Sequence, residues 1–196
     1  VIDNPILLDS ELERLRQVDS AIFRSHTIDA TWPVAEGTAG MERALERVFA
    51  RCAADLQCDQ RFPKLADQFA HVDARLRRNP VAVALPDPVT GEINNIDVTR
   101  NHLVMMTRML SYSARTASLL PLLIHEAATR GNYGPLAAQA LMAGEDLERM
   151  IAMGMHNAVV CSEDAPRFEG AVERAALEKT YIGPVMVDGM TALCEV

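Results

Sequence analysis

Apolar residues recur at helical spacing along most of this chain, and one segment alone breaks the pattern. After Asn79-Pro80 comes Val81-Ala82-Val83-Ala84-Leu85, a short run of strand formers. Pro86-Asp87-Pro88-Val89-Thr90-Gly91 then supplies turn chemistry, and Ile93 to Val98 alternates apolar and polar. The segment 81–98 therefore predicts one small β-hairpin. A two-stranded hairpin is marginal by itself in water, so it must lie on helices. No strand–helix–strand alternation exists to build a parallel sheet, and the chain predicts a mainly α fold.

The remaining pattern predicts about seven or eight helices. Ser10 can cap the first, with Leu12, Leu15, Val18 and Ile22 on one face. His26 to Gly40, with Trp32-Pro33 and two glycines, reads as a loop. Met41 to Leu56 carries an apolar stripe of Met41, Ala44, Leu45, Val48 and Phe49. Phe62-Pro63 opens a helix with Leu65, Phe69, Val72 and Leu76 facing inward, ended by Asn79-Pro80. Thr99 caps a helix through Met109. Ser113 caps another through Arg130, stopped at Gly131-Asn132. Pro135 sits in the first turn of a helix running toward Met153. Gly170 to Leu193 reads as mostly helical, interrupted at Gly183-Pro184.

The chain has 196 residues and a formal net charge of −8. Its one dense basic cluster, Arg75-Leu76-Arg77-Arg78, stands at a helix end, where the helix dipole favours cations. Nucleic-acid binding needs a basic footprint that this chain lacks. No apolar run reaches the ~18 residues a membrane span needs. The sequence begins at Val1 with no basic–apolar leader, so no signal peptide is expected within it, and it reads as part of a longer protein.

Four cysteines are present: Cys52, Cys58, Cys161 and Cys194. An even count permits two disulfides, and the spacing of Cys52 and Cys58 can close a small loop where a helix ends. Four buried thiols in a reducing compartment fit the same residues.

Catalytic motifs are scarce. No G-x-S-x-G elbow occurs, and none of His26, His71, His102, His125 and His156 follows a strand as a triad histidine would. His125-Glu126 starts an H-E-x-x-H pattern, but Thr129 stands where the second imidazole is required, so no metal site is expected. Met105, Met106, Met109, Met142, Met150, Met153 and Met155 read first as helix packing, with an adaptable substrate wall as the alternative. Trp32 and Tyr112 have the size to line a substrate pocket, though nothing in the sequence brings them together. The strongest candidates are Glu163 and Asp164, adjacent carboxylates behind the buried-looking run Val159-Val160-Cys161. A carboxylate in a low-dielectric cleft holds an ammonium group by a charge-assisted hydrogen bond. Such residues before Pro166 also suit a helix cap.

A resemblance narrows these alternatives. Pro135-Leu136-Ala137 and Ala140-Leu141 lead to Gly154-Met155, then to Val159-Val160-Cys161-Ser162-Glu163-Asp164 and Pro166. This order resembles the lid of α/β-hydrolase-fold aminopeptidases, the prolyl and tripeptidyl aminopeptidase-like serine hydrolases. Leu85-Pro86-Asp87-Pro88 with Thr90-Gly91-Glu92 is similar too. So is Val1-Ile2-Asp3-Asn4-Pro5, which matches a core strand after the nucleophile helix. The likeness runs from about Met41 to Val196, with 9–40 matching less well.

The resemblance implies residues 1–8 as the end of a core strand and 9–196 as a helical lid carrying the hairpin. The triad would lie outside this chain, on the hydrolase core of the same protein, so the chain by itself would be inactive. The intact enzyme would remove N-terminal residues from peptide substrates by serine acyl transfer, with no cofactor. Glu163 and Asp164 would bind the substrate ammonium. Similar proteins carry the Arg51-Cys52, Asp55 and Cys58 pattern and are often exported. That implies disulfides Cys52–Cys58 and Cys161–Cys194 and a periplasmic or secreted location. An ester hydrolase with the same lid, or a helical binding protein without chemistry, remains the alternative.

Overall fold

The computed structural model describes residues 34–87, 90–165 and 175–195, without the side chains of 34–37, 145–150 and Asp164. The strand end expected at 1–8, the helix from Ser10, His26 and Trp32 lie outside these residues. Among the described residues the chain is mainly helical with one two-stranded antiparallel hairpin.

The order is α1 (Val34–Ala54), α2 (Leu56–Arg61), α3 (Leu65–Arg78), β1 (Val81–Pro86), β2 (Ile93–Val98), α4 (Arg100–Leu110), α5 (Ala114–Ala117), α6 (Leu120–Arg130), α7 (Gly134–Met150) and α8 (Met153–Val159). A π-helical turn, Val160–Asp164, continues α8, and α9 (Gly183–Cys194) closes the chain.

The body is a set of paired helices. α3 lies along α6 and α4 along α7, while α1 touches α3 and α6. Leu65, Phe69, Val72 and Leu76 are all buried, as their spacing on α3 requires. Burying each such side chain contributes on the order of 1.5–3 kcal/mol. Phe69 joins Phe49 of α1 to Tyr181, with ring centroids 5.7 and 5.5 Å away. The hairpin pairs Val81 with Val98 and Pro86 with Ile93, and β1 rests on α7. Val81, Val83 and Leu85 face that helix, half-buried, while Ala82 and Ala84 are exposed.

Several boundaries differ from the sequence expectation. Residues 34–40 are helical, not loop. Thr38, only 1% exposed, is drawn into the interior, and this packing outweighs a cost of about 1 kcal/mol for each helical glycine. The helix expected to reach Leu56 ends at Ala54, because the Asp55 carboxylate caps a new one by accepting from Cys58 N–H at 2.8 Å. α3 starts at Leu65 rather than Phe62, after Lys64 turns through φ 54°. The helix expected over 113–130 is two. Ser113 does cap α5 by accepting from Thr116 N–H, but α6 begins afresh at Leu120 with Pro121 in its first turn. Gly131 closes α6 at φ 64°, a conformation open to glycine at no steric cost. α7 stops at Met150 rather than Met153. Gly183-Pro184 starts α9 instead of interrupting a helix.

The C-terminal segment is tied to the body by polar groups from distant elements. Glu42 of α1 accepts from Tyr181 N–H at 2.9 Å. Arg100 donates to the Tyr181 carbonyl and, at 2.6 Å, to Asp73 of α3. The basic cluster is structural as expected: Arg75 donates to the Asn79 carbonyl at 2.7 Å and Arg77 pairs with Asp73.

Candidate functional site

α8 and the π-turn carry the candidate residues. Met153-Gly154-Met155-His156-Asn157-Ala158-Val159 forms a helix in which no residue is buried. The chain then widens into the π-turn Val160–Asp164. Such turns are rare and occur often at functional sites. Val160 is the inward anchor at 6% exposure. Val159 is 46% exposed and Cys161 half-buried, so the run 159–161 is less buried than its composition suggests. A single helical face sinks into the body there, and an apolar run longer than that face must show its other side to solvent.

Glu163 is exposed on the turn, and Asp164 ends it. The two lie at the end of a helical stretch, not at the start of one. The N-cap alternative for Asp164 would concern a helix beyond Pro166, outside the described residues.

The apolar surroundings are open. Met153 is 37%, Met155 71% and Val159 46% exposed. Met155 and Val159 are one turn apart and share a face. The methionines therefore divide. Met106 is fully buried and Met105 and Met109 half-buried, as packing requires, but Met142, Met153 and Met155 are not core residues. Among the described residues α8 packs chiefly against the π-turn, so these side chains have no helix to cover them.

Sequence reasoning passed over Asn157. Its amide oxygen is buried and has no hydrogen-bond partner. A polar residue inside the apolar run Met155 to Val160 was the available signal. A buried acceptor left unpaired costs about 1–3 kcal/mol, a cost native proteins rarely leave unexplained.

Two disulfides frame the molecule. Cys52 is bonded to Cys58, with Cα atoms 5.0 Å apart, at the junction of α1 and α2. Cys161 is bonded to Cys194, with Cα atoms 5.3 Å apart, so the π-turn is fastened to the end of α9.

The other candidates sit elsewhere. Tyr112 is 68% exposed at the end of α4. His125 faces Gln68 at 3.0 Å and packs edge-on against Phe62, tying α6 to α3. His102 belongs to the start of α4, where its Nδ1 accepts from Thr99 N–H at 3.0 Å. Burial lowers its pKa below the usual imidazole range. His71 and His156 are exposed. Among the described residues no three His, Cys, Asp or Glu side chains are arranged to hold a metal. A separate cleft of about 330 Å³ lies between the Cys52–Cys58 loop and α5, with Arg51, Asp55 and Ser118 among its polar lining.

None of the described helices is long and apolar enough to cross a membrane. Comparison with protein-family models, with curated proteins and with solved structures finds no match to this chain.

Proposed function

We propose that this chain is the helical lid of a serine hydrolase of the α/β-hydrolase fold, selecting peptides with a free amino terminus for removal of N-terminal residues. The observation that carries the reading is the joining of two surfaces on one short stretch. α8 exposes Met153, Met155 and Val159, and the turn that continues it exposes Glu163. An apolar face beside a carboxylate suits the amino end of a peptide, whose side chain and ammonium need both. The order of residues from Pro135 to Pro166 supports the same assignment.

In this reading the acyl-transfer machinery belongs to the hydrolase core of the same protein. The chain contributes recognition and the exclusion of water. The carboxylate fixes the distance from the substrate's amino end to the scissile bond, and that distance makes an exopeptidase. An ester hydrolase would have no use for the carboxylate. A helical binding protein is the second reading, favoured by a main core that α1, α3, α4, α6 and α7 close among themselves.

Glu163→Gln in the intact hydrolase tests the proposal. It should lower kcat/KM about tenfold for substrates with a free amino terminus and less than about twofold for N-blocked esters. Equal losses on both would reduce Glu163 to a structural residue. The 196-residue chain itself should take up no fluorophosphonate, because it holds no elbow serine. Stoichiometric labelling would sink the assignment.

A further inference from the structure

The described residues hold two apolar cores of unequal size. The larger spans α1 to α7 and includes Tyr181 and Ile182. The smaller consists of Leu177 and Val187, with Ala165 and Met190 packed against them. The π-turn region meets only this smaller core, through Ala165, besides the inward anchor Val160. α8 adds no buried residue. Few apolar contacts are the physical mark of a segment that opens locally, ahead of the body it is attached to.

Against that thin packing stands one covalent link, Cys161–Cys194, which joins residues 33 positions apart. Both cysteines are half-buried, within reach of a small reagent. The other disulfide differs in each respect. Cys52 is 4% exposed within the larger core, and the bridge spans only 6 positions. Its loop is also held by the Asp55 carboxylate on Cys58 N–H at 2.8 Å and by Phe62 N–H on the Cys58 carbonyl at 2.8 Å. Cutting it leaves those bonds in place. Cutting Cys161–Cys194 leaves little.

We propose that Cys161–Cys194 is a dithiol-sensitive latch that holds the carboxylate-bearing turn on α9, so that its reduction frees residues 153–165 while the helical body stays folded. A thiolate of the dithiol attacks one sulfur of the bridge and forms a mixed disulfide. The reagent's second thiol displaces the remaining cysteine and closes a disulfide within the reagent. Two electrons and two protons pass to Cys161 and Cys194, and the dithiol is oxidised. The latch stands on the packing alone. Its effect on substrate choice rests on the lid reading above.

Dithiothreitol titration of the 196-residue chain, with alkylation and peptide mapping, is the test, combined with amide hydrogen exchange. Cys161 and Cys194 should alkylate at roughly tenfold lower dithiol than Cys52 and Cys58. At that point exchange over 153–165 should quicken at least about tenfold, while α3, α4 and α6 keep their protection. The Cys161→Ser/Cys194→Ser chain should show the same exchange without dithiol. Co-reduction of both bridges, unchanged exchange over 153–165, or loss of protection throughout the body would each overturn the latch. These readings need no hydrolase activity, so failure of the lid assignment leaves them intact. The ratio of free to blocked substrates judges that assignment separately.

Discussion

Arg100 donates a hydrogen bond to the backbone carbonyl of Tyr181, 81 residues further along the chain. The same guanidinium pairs with Asp73 at 2.6 Å, and both side chains are largely shielded, at 12% and 14% exposure. Arg100→Ala would strand a shielded carboxylate and an unpaired carbonyl together. Arg77, itself 49% exposed, remains to neutralise Asp73 in part. The expected loss is about 2–3 kcal/mol, read as a lower urea midpoint. A loss below about 0.5 kcal/mol would mean solvent replaces both bonds.

Tyr181→Phe should act in the opposite direction. The Tyr181 hydroxyl is buried with no hydrogen-bond partner, and burial, then the nearby Glu42 carboxylate, push its pKa far above the ordinary phenol value, with Arg108 opposing. Phenylalanine keeps the edge-on contact with Phe69, at 5.5 Å and 87° between planes, and removes the unsatisfied group. The variant should match or exceed the parent by up to about 1 kcal/mol. Clear destabilisation in urea would reveal a partner for the hydroxyl.

Gly183 and Gly189 lie in the same helix and should respond oppositely to alanine. A Cβ at Gly183 would stand 2.1 Å from the Leu177 carbonyl oxygen, a backbone atom that cannot swing aside. Gly183→Ala should cost about 2–4 kcal/mol, or the fold of the segment. At Gly189 a Cβ meets nothing within 4 Å, and alanine there should gain about 0.5–1 kcal/mol. Thermal melts of the two variants give the comparison directly.

His102 makes the start of α4 sensitive to acid. Its Nδ1 accepts from Thr99 N–H, a role open only to the neutral ring, and burial lowers its pKa. The folded pKa therefore lies below the unfolded value of about 6.5. Its contribution is complete above that value and is lost as pH falls through the folded pKa, no more steeply than about 1.4 kcal/mol per pH unit for one proton. His102→Gln keeps a side-chain acceptor at the same helix position without titrating. Urea midpoints measured from pH 7 to 5 should fall less for the variant. Parallel curves would clear His102.

Local signals read well from this sequence, and long-range ones did not. The α3 stripe, the hairpin, the Thr99 start and the Gly131 stop each depend on a few neighbouring residues, and each is found. The break before α6 was written in Pro121, but the apolar run around it concealed the stop. Residues 34–40 read as loop because glycines were weighed without the burial of Thr38. Nothing local announces that Glu42 meets Tyr181 across 139 residues. For the candidate site, the carboxylates were legible as residue types beside a cysteine. The exposure of Met153 and Met155 was not, because spacing says which side chains share a face but not what covers it.

The π-turn places Glu163 and Asp164 where α8 runs out, and the end of a helix already carries charge. Its last carbonyls amount to about half an elementary charge of negative sign. Carboxylates are usually kept from such ends and cations preferred, as with Arg75 and Arg77 on α3. Here the backbone and the side chains add instead of cancelling. The stretch is mildly uncomfortable when nothing is bound, and a cation arriving there removes that discomfort. An approaching ammonium group would sense this one sharp negative point on the surface before touching any single residue, and added salt would blunt that attraction within about 10 Å.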